Sequence, residues 1–139
     1  MGNEIKETIV LDSFALLCFL KDEKGSDEVE KIIQSAYSGI CRLMMSTMNF
    51  GEVFYILCRE KDVEFALREE AEIVRLPIEF VEADWDLIRE AAMIKTKYPM
   101  AFADCFAAAV AHRTNASIMT GDPEFKLIEK DVKIRWLNK

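Results

Sequence analysis

The chain has 139 residues, of which 51% are hydrophobic and 31% charged, and a formal net charge of −7. This length can bury a hydrophobic core, and we expect one domain spanning residues 1–139. No run of about 18 apolar residues occurs, which argues against a membrane span. The N-terminus lacks the regions of a signal peptide, so the default expectation is the cytoplasm.

The charge is unevenly distributed. Between Glu60 and Glu90, eleven acids stand against four bases, whereas the rest of the chain carries fourteen of each sign. The balanced part can accept a polyanion locally, although a solvated face without a binding role is the more ordinary explanation of the acidic stretch. Four separated cysteines, no CxxC pair and one histidine argue against a zinc site and favour reduced, mostly buried thiols.

Strand and helix patterns alternate along the chain. Helices are predicted over residues 13–22, 27–38, 47–59 (starting at Thr47 or Asn49), 62–75, 83–97 and 103–114, with a short one after Pro123. Asp62 is predicted to cap the fourth helix, and Asn115 is predicted to end the sixth in a left-handed conformation. Strands are predicted over residues 5–12, 40–46, 76–81, 116–120 and 133–137. This alternation indicates an α/β fold with a parallel sheet flanked by helices. The fifth helix is predicted to face the core with Trp85, Ile88, Ala92 and Met93.

Asp12 ends the first predicted strand. The apolar run Ile9-Val10-Leu11 before it indicates a strand that is buried on both faces. Ligands of open α/β sheets bind beyond the carboxyl ends of the strands, so Asp12 lies where a functional site is expected. The alternative is that Asp12 caps the following helix, a role that Ser13 can also fill.

Three further acids follow strand ends or begin helices. Glu52 lies three residues after Asn49, a spacing that resembles a capping box, so a functional and a capping role are equally weighted. Asp104 begins an alanine-rich helix, where a carboxylate must be paired, metal-bound or exposed at the helix end. Asp122 precedes Pro123 in a common helix-cap arrangement, but the strand before it also delivers it to the sheet edge.

Four carboxylates at one edge would repel one another unless a cation offset their charge. Oxygen ligands without histidine or cysteine select Mg²⁺ or Mn²⁺. Such sites activate water and stabilise the leaving oxygen in phosphodiester cleavage. We therefore expect a metal site that is built from Asp12, Glu52, Asp104 and Asp122.

The segments VLDSFALL, STMNFGEVFYIL, AFADCFAAAVA and IMTGDPEFK, spread from Val10 to Lys126, resemble those of PIN-domain proteins. Within that family the chain is similar to the VapC-like toxins of toxin–antitoxin pairs. The resemblance implies a three-layer α/β/α sandwich with strand order 3-2-1-4-5, and a Mg²⁺- or Mn²⁺-dependent endoribonuclease that a small antitoxin holds inactive. It carries over the catalytic and metal-binding acids Asp12, Glu52, Asp104 and Asp122, and the supporting residues Ser13 and Thr120.

Some basic residues are candidates for contact with RNA phosphates: Lys97, Arg113 and Lys126. Charge on a solvated face is the ordinary explanation for each of them. His112 lies about two turns beyond Asp104 on the same helix, and a structural or RNA-proximal role is favoured over catalysis.

Two other classes of protein match parts of this pattern. A haloacid-dehalogenase-like phosphatase or a receiver domain also has an aspartate after its first strand. The former needs a second acid in a DxD motif and the latter an acid pair before the aspartate, and both features are missing here. Outside enzymes, the alternative is a catalytically idle PIN fold that binds RNA or serves in assembly, and the presence of all four acids argues against it.

The chain contains more large aromatic residues than a single small core obviously needs. We expect a homodimer, in which this apolar surface is shared between subunits or covered by an antitoxin. The residues concerned are Phe54, Tyr55, Phe65, Phe80 and Trp85.

Overall fold

A computed structural model describes residues 7–137, and a five-stranded sheet lies at its centre. The strands are β1 (Thr8–Leu11), β2 (Arg42–Ser46), β3 (Glu79–Val81), β4 (Ser117–Thr120) and β5 (Ile134–Trp136). All neighbouring strands are parallel, and their spatial order is β3-β2-β1-β4-β5. The predicted parallel sheet and its order 3-2-1-4-5 are therefore confirmed.

Helices provide the connections that parallel strands require, because a tight turn cannot join them. They are α1 (Ser13–Leu20), α2 (Ser26–Tyr37), α3 (Thr47–Glu60), α4 (Val63–Ile73), α5 (Trp85–Lys97) and α6 (Phe102–Thr114). A 3-10 helix, Pro123–Ile128, lies between β4 and β5. Each strand up to β4 is thus followed by helical structure that starts at the carboxyl edge of the sheet.

The central strands are buried on both faces because their successive side chains point in opposite directions. Val10 and Ile118 pack with residues of α5 and α6, whereas Leu11 and Met119 pack on the other face with residues of α1 and α2. A third apolar cluster joins Met45 of β2 to α3 and α4. The sheet therefore lies between two helical layers, as predicted.

Helix α6 is the most deeply buried helix. Its alanines allow a close approach to the sheet, and Ala107, Ala108, Ala109 and Ala111 are almost completely inaccessible. The helix ends at Asn115 with a positive φ of 55°, as the predicted left-handed stop requires. This close packing brings the first turn of α6 to the carboxyl ends of β1 and β4.

The prediction for the inward face of α5 is wrong. The helix has two apolar stripes, and the one that begins at Leu87 and continues through Ala91 and Ile94 to Tyr98 packs against the core. Its spacing of four, three and four residues keeps it on one face of the helix. The residues that were predicted to face the core are exposed instead: Trp85, Ile88, Ala92 and Met93.

The structure decides between the caps that the sequence left open for α1 and α3. The N-cap of α1 is Asp12 rather than Ser13, and its Oδ1 accepts the Ala15 N–H at 2.9 Å. Helix α3 starts at Thr47 after the N-cap Ser46, so Asn49 lies inside the helix and forms no capping box with Glu52.

The strands are shorter than predicted, and the predicted beginning of the first strand at Ile5 lies outside the described residues. Cys18, Cys41 and Cys105 are buried free thiols and Cys58 is partly buried, which agrees with the prediction. Within residues 7–137, no helix is both long enough and apolar enough to cross a membrane.

Candidate metal centre

Acidic residues converge at the carboxyl edge of the sheet. Asp12 follows β1, Asp122 follows β4, and Asp104 lies in the first turn of α6. Carboxylate oxygens of Asp104, Asp122 and Glu124 lie within 4.8 Å of one another. Two of the predicted acids are therefore members of a close group whose third member, Glu124, was not predicted.

Glu124 joins the group through its position in the 3-10 helix. Its Oε1 accepts the Ala101 N–H at 2.9 Å, and its carboxyl group is hydrogen-bonded to that of Asp104. The available signal in the sequence was a second acid two residues after Asp122. An acid in the first turn of a helix ordinarily interacts with the helix dipole, so the sequence position of Glu124 alone did not indicate a place in the acidic group.

Thr120 orients two of the acids at once. Its hydroxyl donates to Asp12 Oδ2 at 2.5 Å and accepts the Asp122 N–H at 3.0 Å. The other oxygen of Asp12 accepts a backbone N–H, and Asp122 Oδ1 accepts the Glu124 N–H at 2.9 Å. These carboxylates are thus held in fixed orientations by β4 and by the helix starts around them.

Asn49 connects the starts of three helices. Its buried side chain donates from Nδ2 to Ser13 Oγ and to the Ala103 carbonyl, in both cases at 3.1 Å. Its Oδ1 accepts from Ser46 Oγ at 2.8 Å, and the Ser13 hydroxyl donates to the Asn49 carbonyl at 3.2 Å. Ser13 and Ala103, which adjoin Asp12 and Asp104 in the sequence, are therefore joined through the Asn49 amide. The sequence pattern indicated Asn49 only as a capping residue.

Burial raises the pKa of Asp12 from its ordinary value of 3.8 to about 7. The hydrogen bond from Thr120 opposes this rise, and the charges of Asp122 and Glu52 add to it. Glu52 is partly buried in α3 and is near enough to act on Asp12 through its charge. Neither Glu52 nor Asp12 belongs to the group of acids whose oxygens lie within 4.8 Å of one another.

Burial also raises the pKa of Asp104, to about 9, and the hydrogen bond with Glu124 and the charges of Asp122 and Asp12 contribute. The pKa of Glu124 is lowered, chiefly because Asp104 donates a hydrogen bond to it. The two pKa shifts are opposite in direction, as expected for two carboxyl groups that share one hydrogen bond.

The candidate RNA-contact residues are dispersed. Lys97 forms an ion pair with Asp131 at 3.8 Å, and Arg113 forms one with Glu90 at 3.0 Å. Both line a cleft along α5 and α6. Helix α6 begins at the acids, so its last turn, with Arg113, lies at the end of the helix remote from them. Two further predicted residues have exposed side chains: His112 and Lys126.

The chemistry of the group fits a hard divalent cation. Its members offer only carboxylate oxygens, and within residues 7–137 no histidine or cysteine joins them. Oxygen-only donor sets suit Mg²⁺ and Mn²⁺. A divalent cation would also offset the repulsion that contributes to the raised pKa values of Asp12 and Asp104.

Comparison with known proteins now identifies the family, since the model of the PIN domain matches residues 9–131. The chain belongs to the PIN domain family. The predicted family is thereby confirmed, and membership assigns the chain to a family of nucleases. No curated protein shows significant sequence similarity to the chain.

Solved structures share this PIN fold over almost the whole chain. VapBC2 from Rickettsia felis, bound to a DNA fragment from its promoter, has a TM-score of 0.75 and 14% identity, with 94% of this chain and 99% of that chain covered. DNA-bound VapBC from Salmonella typhimurium has a TM-score of 0.73 and 16% identity, with coverage of 93% and 97%. VapC20 from Mycobacterium tuberculosis, a sarcin–ricin loop cleaving toxin, has a TM-score of 0.67 and 16% identity, with coverage of 85% and 92%. Because the sequence identities are this low, these comparisons show similarity of fold.

Proposed function

We propose that this PIN domain is a Mg²⁺- or Mn²⁺-dependent endoribonuclease that hydrolyses RNA phosphodiester bonds. The observation that carries the proposal is the convergence of Asp104, Asp122 and Glu124 within 4.8 Å, beside buried Asp12, in a PIN fold. The description of the structurally similar VapC20 as a sarcin–ricin loop cleaving toxin supports RNA as the substrate.

In this proposal Asp12, Asp104 and Asp122 hold the divalent ion, with Glu52 and Glu124 beside them. When bound, such an ion supplies positive charge against the phosphate oxygens and acidifies water. The protein contributes orientation, because Thr120 fixes Asp12 and Asp122 through a single hydroxyl. No side chain needs to form a covalent bond with the substrate.

The proposal extends to a small antitoxin as partner. Structures of toxin–antitoxin complexes, including one from Klebsiella pneumoniae, share the fold of this chain. An antitoxin that covered the acidic edge would prevent RNA from reaching it. In this proposal, the chain is the toxin of such a pair.

A homodimer is the proposed assembly. Trp85 is 78% exposed and Tyr55 is 58% exposed, which leaves two large aromatic side chains on the surface. Phe54, Phe65 and Phe80 pack in part against the third apolar cluster, and a smaller fraction of each of these side chains is therefore exposed. Exposed aromatic side chains of this size favour burial at an interface.

The experiment is an RNA cleavage assay with Mn²⁺, Mg²⁺ or a chelator, on a sarcin–ricin loop oligonucleotide and a pool of structured RNAs. The Asp12→Asn and Asp104→Asn variants keep the size of the side chain but remove a charged ligand. We expect each to lose more than about 100-fold in cleavage rate, because changes even in the outer shell of metal sites cost roughly 10–100-fold.

The matched control is Asp131→Asn, which removes an exposed carboxylate that is paired with Lys97 outside the acidic group. It should cleave at the wild-type rate, and circular dichroism should show that all three variants are folded. Wild-type rates for both Asp12→Asn and Asp104→Asn in Mg²⁺ would refute the assignment of the site.

A further inference from the structure

The rim of the acidic edge is apolar. Three helices that start there each carry a large, partly exposed apolar side chain in the first turn. The exposed fraction is 44% for Phe14 in α1, 39% for Met48 in α3 and 38% for Phe102 in α6. The same helices carry or follow acids of the candidate centre, so a ligand that approaches these acids meets apolar side chains on its way.

Phe14 is the member of this rim whose position is best defined. A Cβ atom at Gly121 would lie only 2.5 Å from Phe14 Cε1 and 2.8 Å from Cζ, so the ring fills the space beside the Gly121 backbone. Gly121 separates Thr120 from Asp122, and the ring is therefore held against the turn that positions these two residues. A side chain that is already ordered loses little conformational entropy when it binds a ligand.

Among residues 7–137, few cations lie close to these acids. Lys95 is near enough for its charge to lower the pKa of Glu124, and its Nζ donates to the Met100 carbonyl at 2.6 Å. Within residues 7–137, none of the ion pairs involves Asp12, Asp104 or Asp122. The lysines and arginines that usually bind RNA phosphates are thus sparse immediately around these acids, and the exposed Lys126 lies in the 3-10 helix that follows Asp122. The apolar rim offers a further source of affinity beside the cleaved bond.

We propose that the Phe14 ring is a stacking platform for a nucleobase next to the cleaved phosphate. This inference rests on the proposed ribonuclease function and specifies how the substrate is held. Aromatic rings bind unpaired bases by stacking, with little preference for sequence. Bases within an RNA duplex are already stacked on one another, so the platform selects a nucleotide that is unpaired or can be splayed out.

The test uses an RNA oligonucleotide with one mapped cleavage site, and two copies of it that have an abasic nucleotide on one or the other side of that site. Phe14→Leu keeps apolar bulk but removes the ring, and Phe14→Trp keeps a ring. Leu127→Ala is the matched control, because it truncates an exposed apolar side chain of the 3-10 helix.

On intact RNA, Phe14→Leu should raise KM about tenfold with little change in kcat, as expected for the loss of one base–aromatic stack. Phe14→Trp and Leu127→Ala should retain a KM near that of the wild type. On the abasic RNA that lacks the stacked base, Phe14→Leu should have almost no further effect, because both changes remove the same interaction.

An unchanged KM for Phe14→Leu would overturn the platform and would be the result if the rim served a protein partner instead. An equal penalty on intact and abasic RNA would also overturn it, because the loss would then be structural. Failure of the proposed function is a separate outcome, in which the wild-type chain cleaves no RNA in Mn²⁺. Fluorescence anisotropy would then compare its affinity for the intact and the abasic oligonucleotides, and equal affinities would refute the platform as well.

Discussion

Asp12 and Asp104 retain their protons to higher pH in the folded chain than in the unfolded chain. The folded pKa of Asp12 is about 7 against an ordinary 3.8, and that of Asp104 is raised further. The folded state therefore binds more protons, so the free energy of unfolding falls as pH rises from about 4 through 7 and on towards 9. We expect the metal-free protein to lose a few kcal/mol, to order of magnitude, across this window.

Thermal melts between pH 5 and pH 8 measure this loss, and Asp104→Asn provides the comparison. The variant cannot ionise at this position, so it should be more stable than the wild type at pH 8 and should lose less stability as pH rises. Mn²⁺ should raise the wild-type melting temperature in proportion to RT ln(1 + [L]/Kd) and should have a smaller effect on the variant. If the wild type and Asp104→Asn have equal stability profiles with pH and equal Mn²⁺-induced shifts in melting temperature, Asp104 is not part of the metal site.

The acids that follow strands could be predicted because a buried apolar strand that ends in a carboxylate is a distinct pattern. Asp12 and Asp122 lie at the predicted edge for this reason. Glu124 was missed because only the fold turns its side chain back towards Asp104 and the Ala101 amide. The approach of Glu124 to Asp104 depends on tertiary packing. The spacing of residues along the sequence carries no information about such packing.

At the scale of elements, Asn49 is the residue whose loss should affect the arrangement of the site most. Its side chain joins the starts of α1, α3 and α6, whereas the Ser46 hydroxyl caps α3 and forms its hydrogen bonds with Asn49. We expect Asn49→Ala and Ser46→Ala each to destabilise the fold by about 1–3 kcal/mol, through unsatisfied buried groups and a lost cap.

The Mn²⁺ concentration for half-maximal cleavage distinguishes the two variants. Only Asn49→Ala should raise it, by about tenfold, because only this change frees α6 from α1. If Asn49→Ala and Ser46→Ala have the same Mn²⁺ requirement, Asn49 contributes only to stability.

The order and type of the elements could be predicted because apolar strands alternate with capped helices. Asp62 begins α4 and Asn115 ends α6, as predicted. The orientation of α5 did not follow. Its two apolar stripes, which start at Trp85 and Leu87, are both plausible by composition. Only the position of the α6 surface decides which of them is buried.

At the scale of the whole molecule, the exposed indole of Trp85 bears on assembly. If α5 contributes to a homodimer, Trp85→Ser should shift the mass in solution from dimer to monomer at high micromolar concentration, as measured by light scattering after gel filtration. Tyr37→Ser is the matched control, because it removes an exposed aromatic side chain at the end of α2 and should leave the dimer intact. A wild-type chain that is monomeric at this concentration would contradict the proposed assembly.

The central claim is that these acids form one divalent-cation site, and an anomalous difference map from crystals grown with Mn²⁺ locates the ion directly. The account predicts a peak bounded by Asp12, Asp104, Asp122 and Glu124 at the carboxyl edge of the sheet, with Mn–O distances close to the ~2.0–2.1 Å of Mg²⁺ sites. The peak should be absent from crystals of Asp104→Asn grown under the same conditions. A wild-type map with no peak at this edge, or with its only peak elsewhere on the chain, would contradict the claim.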